Sequence, residues 1–240
     1  MTVAAVEMLS PRMKRIVFTS SDLADFDSNA HDDHVKLFFT AGAGASPSGR
    51  DYTPRWFDRD QRAVAVDFVL HGHGPAASWA RAARVGDTLE MGGPRGSTVV
   101  PDDFDWYLLV GDESALPAIG RRVEELRAGV PVTTVVAIDD ADDRQSLVTT
   151  ADWRPHWVTR DPSGADDGVA LVRVLETIDP GHGDGFVWIA AETSVARAVR
   201  RYVVETRRHP AEWVKAAAYW TRGRAGEHEP IGDAAPGAMK

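Results

Sequence analysis

The chain has 240 residues, of which 43% are hydrophobic, and its formal net charge is −9 at pH 7. This length and hydrophobic content allow one large domain or two of ordinary size, and we favour two small domains. The acidic balance argues against sequence-independent binding to nucleic acid or to an anionic membrane, because both require a basic surface.

The lack of long apolar segments and of cysteine excludes further classes of protein. No stretch approaches the roughly 18 to 20 apolar residues of a membrane span, and the N-terminal sequence MTVAAVEMLSPRMKR lacks the basic start and long apolar run of a secretion signal. We therefore expect a cytoplasmic protein without membrane insertion. The chain also contains no cysteine, which excludes a disulfide, a thiolate nucleophile and an all-cysteine iron–sulfur cluster.

The first half of the chain predicts β-strands. Three short runs rich in Val and Phe are bounded by turn-forming residues: RIVFT (15–19), HVKLFFT (34–40) and AVAVDFVL (63–70). In the third run, strict alternation predicts that one face meets a core, with Val64, Val66, Phe68 and Leu70 on that face. The loop AGAGASPSGR (41–50) is predicted to be a mobile connection.

The polar run HDDH (31–34) before the second strand could suggest a metal site. Neighbouring residues beside a strand point to opposite faces, so these four side chains could not all converge on one ion. We interpret the run as a polar turn.

Residues 49–58, GRDYTPRWFD, combine two cations with an aromatic ring and a hydroxyl. An ordinary turn needs only Gly, Pro or Asn, so Arg50, Tyr52, Thr53 and Arg55 exceed what a turn requires. Taken alone, the stretch fits an exposed strand end with solvated arginines equally well.

The stretch HGHGPAASWA (71–80) predicts a helix that begins after glycines. Pro75 suits the first helical position, and the free backbone N–H groups of such a start favour an anion. The alternative is an ordinary helix capped by a Gly-rich turn. A further turn, GPRGS (93–97), places a cation at its centre and is weak evidence by itself.

From about residue 105 the pattern changes to alternating buried strands and helices. The predicted strands are 106–110, 132–138, 157–158 and 186–190, and the predicted helices are 116–126, 169–177 and 193–208. Alternation of this kind implies a parallel sheet covered on both faces. We place the domain boundary near residue 100.

The loop GDESALPAI (111–119) follows the first strand of this half, where an open α/β sheet binds its ligand. Asp112 and Glu113 disfavour a phosphate, so we expect the loop to contact ribose or nicotinamide. A helix start with acidic residues favoured by the helix dipole is an equal alternative.

The loop and helix AAETSVARAVRR (190–201) follow the last of these strands. Arg197, Arg200 and Arg201 are three and four residues apart, so they project from one sector of the helix and suit a phosphate. The alternative is a solvated basic face on an acidic protein.

Six stretches in this order resemble the siderophore-interacting protein family: RDYTPR, DFVLHGHGPAASWA, GPRGS, DWYLLVGDESALPAIGRRVEEL, VWIAAETSVARAVRRYV and KAAAYWTRG. The family consists of FAD-dependent ferric-siderophore reductases in the ferredoxin-NADP reductase superfamily, and the resemblance extends from Leu9 to about Gly223. It implies an N-terminal antiparallel β-barrel that binds FAD (1–100) and a C-terminal α/β parallel-sheet domain that binds NAD(P)H (101–226). We expect the remaining residues, 227–240, to be a disordered tail.

The resemblance also implies a set of site residues. Tyr52 would pack against the isoalloxazine or ribityl region of FAD, with Thr53 near its reactive edge and Arg50 at a phosphate. The implied cofactor-binding residues are Arg50, Tyr52, Thr53, His71, Gly74, Ala76, Ala77, Ser78, Asp112, Glu113, Thr193, Arg197, Arg200, Arg201 and Trp220. A basic pocket for the ferric siderophore would comprise Lys215, Arg222 and Arg224, around the aromatic pair of an expected C-terminal helix. The sequence departs from the family at Ala191 and Ala218, where many relatives have glycine.

The implied function is electron transfer from NAD(P)H through FAD to a ferric siderophore, with release of Fe(II). NADPH is slightly favoured, since the three arginines suit a 2′-phosphate, although four aspartates after the second strand of this domain would repel it. Those aspartates are Asp139, Asp140, Asp142 and Asp143. Two alternatives remain open: a general flavin or quinone reductase, and a flavin-binding sensor without turnover. We expect a monomer with no nucleic-acid partner and no resident metal.

Overall fold

The computed structural model of the chain describes residues 1–40, 46–72, 74–164, 166–179, 181–224 and residue 231. The chain divides into two compact units, Met1–Val100 and Pro101–Lys240. Residues 41–45 of the predicted mobile loop lie outside the described residues, and so does the predicted disordered tail (227–240) apart from Ile231.

The described part of unit 1 contains a four-stranded and a three-stranded antiparallel sheet. Its elements are β1 (Thr2–Ser10), β2 (Met13–Thr19), β3 (Val35–Phe39), β4 (Ser48–Tyr52), β5 (Pro54–Asp58), β6 (Ala63–Val69), α1 (Pro75–Ala82) and β7 (Glu90–Gly92). The strand orders are β1-β2-β6-β5 and β4-β3-β7. Short, β-branched and aromatic runs form these strands, as their composition predicts.

The two sheets are joined on both sides. The chain passes from β4 to β5 through Thr53 alone, and the segment before β7 bonds to the start of β1. There the Val3 N–H donates to the Asp87 carbonyl at 2.8 Å and the Leu89 N–H donates to the Met1 carbonyl at 3.0 Å. The sheets enclose one apolar core, so the predicted antiparallel barrel is confirmed.

Strand β6 is buried on both faces, whereas the sequence predicted one buried face. Val64, Val66 and Phe68 are fully buried as expected, but Asp67 on the other face is also only 3% exposed. Its carboxylate accepts two hydrogen bonds from Arg15, at 2.7 and 2.8 Å. Alternation identified the core face correctly, but it could not show that an ion pair covers the opposite face.

The described part of unit 2 has a five-stranded parallel sheet with helices, and the predicted alternation is confirmed. Its elements are β8 (Trp106–Gly111), α2 (Leu116–Glu125), β9 (Pro131–Ile138), β10 (Asp152–Thr159), α3 (Asp167–Thr177), β11 (Gly185–Glu192), α4 (Thr193–Arg201) and β12 (Val214–Trp220). The strand order is β10-β9-β8-β11-β12. β8 and β11 are central and buried along their whole length, as expected for strands in a parallel sheet.

Two predictions about the end of the chain are wrong. Helix α4 ends at Arg201 rather than Arg208, and a π-helical turn, Tyr202–Thr206, follows it. The expected C-terminal helix is instead strand β12, which pairs in parallel with β11 from Val187↔Val214 onward. Alanine favours helices in isolation, but small side chains also fit an edge strand, and the open edge of β11 supplies backbone partners that override this preference.

Within the described residues, no helix is long and apolar enough to cross a membrane.

Candidate cofactor and nucleotide sites

The N-terminus of α1 in unit 1 has the features of an anion site. Gly74 is the N-cap residue, Pro75 follows it, and no side chain caps the helix or places a carboxylate in its first turn. The first intrahelical bond runs from the Ser78 N–H to the Gly74 carbonyl at 3.0 Å, so the N–H groups of Ala76 and Ala77 have no partner within the helix. A Cβ built on Gly74 would meet nothing within 4 Å, which leaves this helix start open to a ligand.

Helix starts in unit 2 differ, because carboxylates of the chain occupy them. Asp112 caps the 3₁₀ turn Glu113–Ala115, which leads directly into α2, by accepting the Ser114 N–H at 2.9 Å. Asp166 caps α3 by accepting the Gly168 N–H at 2.8 Å. Glu192 caps α4 by accepting the Ser194 N–H at 2.7 Å. These carboxylates would repel a phosphate, so α1 offers a better phosphate site than the capped starts in unit 2.

Contacts with β2 and β6 fix the position of α1. The Lys14 ammonium donates to the Ala80 carbonyl at 2.8 Å and to the Ala83 carbonyl at 3.0 Å, where the helix ends. The Trp79 ring lies 5.9 Å from the Phe68 ring and stacks on Phe18. The Trp79 ring thus holds the helix against the barrel.

The two arginines around the β4–β5 junction differ in their exposure to solvent. Arg50 is partly exposed and donates to the Ser48 hydroxyl at 2.6 Å and to the Gly49 carbonyl at 2.7 Å. Arg55 is 5% exposed and lies 4.0 Å from the Asp67 carboxylate. Of these two arginines, only Arg50 is therefore available at the surface, and its role as a phosphate contact stays a prediction.

Tyr52 and Thr53 lie between these arginines. The Tyr52 ring is 4.6 Å from Phe68, and burial raises the pKa of its hydroxyl well above the usual range despite the opposing charge of Arg50. Tyr52 therefore keeps its proton at neutral pH. Thr53 is 6% exposed, and among the described residues its hydroxyl has no hydrogen-bond partner. This hydroxyl can therefore bond to a ligand or to water.

The predicted His71 is exposed, immediately after β6, and Ser78 is exposed on the first turn of α1. Ala76 and Ala77 are 9% and 8% exposed. Their small side chains lie beneath the helix start and leave its N–H groups accessible.

Asp112 in unit 2 connects the carboxyl ends of three strands. It follows β8 and is 2% exposed, and its Oδ2 atom accepts the Glu192 N–H and the Trp220 indole N–H, both at 2.9 Å. The Ser114 hydroxyl donates to Oδ1 at 2.5 Å. This carboxylate was predicted to face ribose or nicotinamide, but its hydrogen-bonding capacity is used within the protein.

Trp220 and Glu192 complete this cluster. Hydrogen bonds from Ser194 and from the Arg222 N–H, the latter at 3.2 Å, outweigh burial and lower the pKa of Glu192. The Thr193 and Thr221 hydroxyls lie 2.8 Å apart. The sequence analysis chose Asp112, Thr193 and Trp220 separately, and the parallel sheet brings them together.

Arg160 is a residue that the sequence analysis missed. Its guanidinium contacts Glu113, and it bonds Asp139 at 2.8 Å and Asp167 at 2.7 Å. Burial raises the pKa of Glu113, and Arg160 opposes that shift. The sequence feature that could have identified Arg160 is its position immediately after strand β10, at the same edge of the sheet as the other candidate loops. Glu113 is thus an ion-pair partner.

The remaining predicted cations do not all converge. Arg197 and Arg201 are exposed and Arg200 is half-buried on α4, in agreement with one basic sector. In the predicted siderophore pocket, Lys215 lies near the start of β12, whereas Arg222 and Arg224 follow its end. Trp220 lies five residue steps along β12 from Lys215, about 17 Å, so the strand that replaces the expected helix places Lys215 away from the two arginines.

Comparison with known proteins identifies the family. The model described as Siderophore-interacting protein matches residues 104–223, and the model described as Siderophore-interacting FAD-binding domain matches residues 2–48 and 40–98. The chain belongs to the siderophore-interacting protein family. The resemblance on which the sequence analysis relied is confirmed.

Individual relatives agree with this membership. This siderophore-interacting protein is 34% identical to the NADPH-dependent ferric-chelate reductase of Escherichia coli, with 92% of this chain and 91% of the relative covered. It superposes on a siderophore utilization protein from T. fusca with a TM-score of 0.86, 33% identity and coverage of 94% and 93% of the two chains. Phthalate dioxygenase reductase matches at a TM-score of 0.64 with 18% identity, covering 94% of this chain and 68% of the other, which shows a shared fold.

Proposed function

We propose that this siderophore-interacting protein is an FAD-dependent reductase that uses NAD(P)H to reduce a ferric siderophore and release Fe(II) during iron acquisition. The observation that carries the proposal is the uncapped start of α1 within a stretch that matches an FAD-binding domain. The relative named NADPH-dependent ferric-chelate reductase supports both the acceptor and the donor. We also propose that the protein acts as a monomer in the cytoplasm without binding nucleic acid.

The residues of unit 1 fit FAD. The N–H groups of Ala76 and Ala77, beside the exposed Ser78, would bind the pyrophosphate. The Tyr52 side chain, whose hydroxyl stays protonated, and the Thr53 hydroxyl would contact the isoalloxazine. Arg50, His71 and Gly74 are candidates for contacts with the phosphates and with the edge of the isoalloxazine ring. These residues bind and orient, and none of them is required to exchange a proton.

When bound, FAD supplies hydride acceptance from NAD(P)H and delivery of single electrons to Fe³⁺. The chain contains no cysteine and therefore cannot hold an all-cysteine iron–sulfur relay. Iron bound by hard oxygen ligands is held less firmly as Fe²⁺. The protein then has to admit a bulky chelate close to the flavin.

For the nucleotide, unit 2 offers two different kinds of contact. The Asp112 and Glu113 carboxylates are engaged within the protein, so the GDESALPAI loop would contact the nicotinamide through its backbone and its Ser114 edge. Arg197, Arg200 and Arg201 would bind the adenosine phosphates, with Thr193 and Trp220 at the same sheet edge. We favour NADPH, and a lower KM for NADH than for NADPH would contradict the phosphate role of these arginines.

For the siderophore, Arg222 and Arg224 remain candidates for the basic pocket, together with Lys215 at a separate position. Replacement of Lys215 by Ala should raise the KM for the ferric chelate and leave flavin content unchanged. An unchanged KM for the ferric chelate would remove Lys215 from the pocket.

Spectroscopy tests the proposed function directly. The purified or FAD-reconstituted protein should show flavin absorption bands that NADPH bleaches under anaerobic conditions and that a ferric siderophore restores. Faster turnover on quinones or free flavin than on the chelates would indicate a general flavin reductase. A colourless preparation that takes up no FAD would contradict the proposal.

A further inference from the structure

Lys14 in strand β2 is a buried cation that has no role in the function described so far. It is 8% exposed, and lysine is almost never buried to this extent without a paired charge. Along β2, Lys14 alternates in step with Ile16 and Phe18, which belong to the apolar core, so its side chain lies on the core face of the strand. Its neighbour Arg15 points to the opposite face and pairs there with Asp67. The buried ammonium therefore needs a source of negative charge on the core side.

The C-terminal end of α1 supplies that negative charge. The Lys14 ammonium donates to the Ala80 and Ala83 carbonyls at 2.8 and 3.0 Å, and more weakly to the Arg81 carbonyl at 3.5 Å. Carbonyls at a helix end carry the negative half-charge of the helix dipole. Among the described residues, the ammonium forms no ion pair with a carboxylate. Its charge is therefore balanced in part, by dipoles, and no formal negative charge cancels it.

The opposite end of the same helix is the uncapped start at Gly74 and Pro75, where the proposed function places the FAD pyrophosphate. Helix α1 has only eight residues and is therefore about 12 Å long. The Lys14 ammonium at one end and a pyrophosphate at the other end are close enough to attract each other. Because the ammonium is buried, salt screens this attraction less than it screens attraction between exposed charges.

We propose that Lys14 is a positioning residue for FAD: its buried charge at the end of α1 strengthens the binding of the pyrophosphate at the start of that helix. The proposal rests on the proposed function. A cation that balances the negative end of a short helix leaves the positive end to act on an anion with less opposition. Riboflavin carries no phosphate, so the charge of Lys14 favours FAD over the uncharged flavin. A residue that only supported the fold would favour both flavins equally.

The test removes the charge of Lys14 in two ways. Lys14→Met keeps most of the side-chain length, and Lys14→Gln keeps an amide that donates to a helix carbonyl, so one variant decides the matter if the other fails to fold. Lys14→Arg retains the charge. Arg81→Gln is the matched control, because Arg81 is an exposed cation in the last turn of the same helix, where solvent and salt screen its charge. The dissociation constants of FAD and riboflavin are measured by flavin fluorescence quenching at about 0.15 M salt.

We expect K14M and K14Q to raise the dissociation constant of FAD about 5- to 10-fold and that of riboflavin less than about twofold. K14R and R81Q should change either constant by less than about twofold. Equal losses for FAD and riboflavin would show that Lys14 only supports the fold and would overturn the proposal. A loss of FAD affinity in R81Q as large as in K14M, or wild-type FAD affinity in the neutral variants, would also overturn it.

Titration with inorganic pyrophosphate separates this inference from the proposed function, with the backbone N–H signals of Ala76 and Ala77 followed by NMR. If the wild-type protein takes up no FAD but K14Q weakens pyrophosphate binding about 5-fold, Lys14 retains its role and the reductase function fails. If NADPH reduces the wild-type flavin, a ferric siderophore reoxidises it, and the neutral variants bind FAD like R81Q, only the inference about Lys14 fails. A wild-type protein that binds neither FAD nor pyrophosphate would contradict both.

Discussion

At the scale of single residues, burial separates side chains that look alike in the sequence. Arg50 and Arg55 belong to one short motif, yet Arg50 stays near the surface and Arg55 is 5% exposed beside Asp67. Asp112 and Glu113 are adjacent acids, but the first accepts N–H groups from two other strand ends and the second pairs with Arg160. Residue type predicted the chemistry available, and the tertiary environment selected which groups remain free to bind a ligand.

Asp112 provides a residue-scale prediction. Replacement by Asn puts an amide N–H₂ where one carboxylate oxygen accepted two donors, so either the Ser114 donors or the Glu192 and Trp220 N–H groups lose their acceptor. We expect the free energy of unfolding to fall by about 2 kcal/mol, measured by urea denaturation. Asp103→Asn is the control, because Asp103 is exposed and its replacement should change stability by less than about 0.5 kcal/mol. Equal stability of D112N and the wild type would show that the cluster contributes nothing.

At the scale of elements, the start of α1 and the edge strand β12 show which local features can be predicted from the sequence and which cannot. Helices that start after strands occur in both units, but only some of them have a capping carboxylate. Once the helices are placed, the capping residues Asp112, Asp166 and Glu192 can be recognised in the sequence. By contrast, the strand conformation of Val214–Trp220 depends on pairing with β11, so local propensity could not predict it.

Ser78→Asp is the element-scale prediction. A carboxylate near the start of α1 should leave the helix intact or stabilise it slightly through the helix dipole, while it repels the FAD pyrophosphate. We expect the dissociation constant of FAD to rise at least about 10-fold, measured by flavin fluorescence quenching, with no loss of melting temperature in the apoprotein. Ser78→Ala, which removes only the hydroxyl, should change FAD affinity much less. Unaltered affinity in S78D would place the pyrophosphate elsewhere.

At the scale of the whole molecule, each unit has its own apolar core. A ligand held by unit 1 alone should therefore stabilise that unit selectively. At an FAD concentration of 100 times its dissociation constant, linkage predicts about 2.7 kcal/mol of added protection against opening. Peptide-resolved hydrogen exchange should show this increase in β2 and β6 and little change in β8 and β11. Equal protection of both cores would contradict an FAD site confined to unit 1.

The sequence by itself determined the strand-rich first half, the alternating strands and helices that imply a parallel sheet in the second half, and the family, because alternation, turn residues and short motifs are local properties of the chain. The end of the chain, where β12 replaces the expected helix, was the exception. The sequence also predicted the helix start after Gly74 as one of two alternatives, an anion site or an ordinary capped helix, and selected the RDYTPR stretch as a candidate cofactor site. Only the tertiary structure decided that Asp112 accepts the Trp220 indole N–H, that Arg160 forms ion pairs with three acids and that the Asp33 carboxylate accepts the Ser97 hydroxyl. These outcomes depend on hydrogen bonds and ion pairs between segments far apart in the sequence, whose energies arise only when folding brings the partners together and removes water from around them.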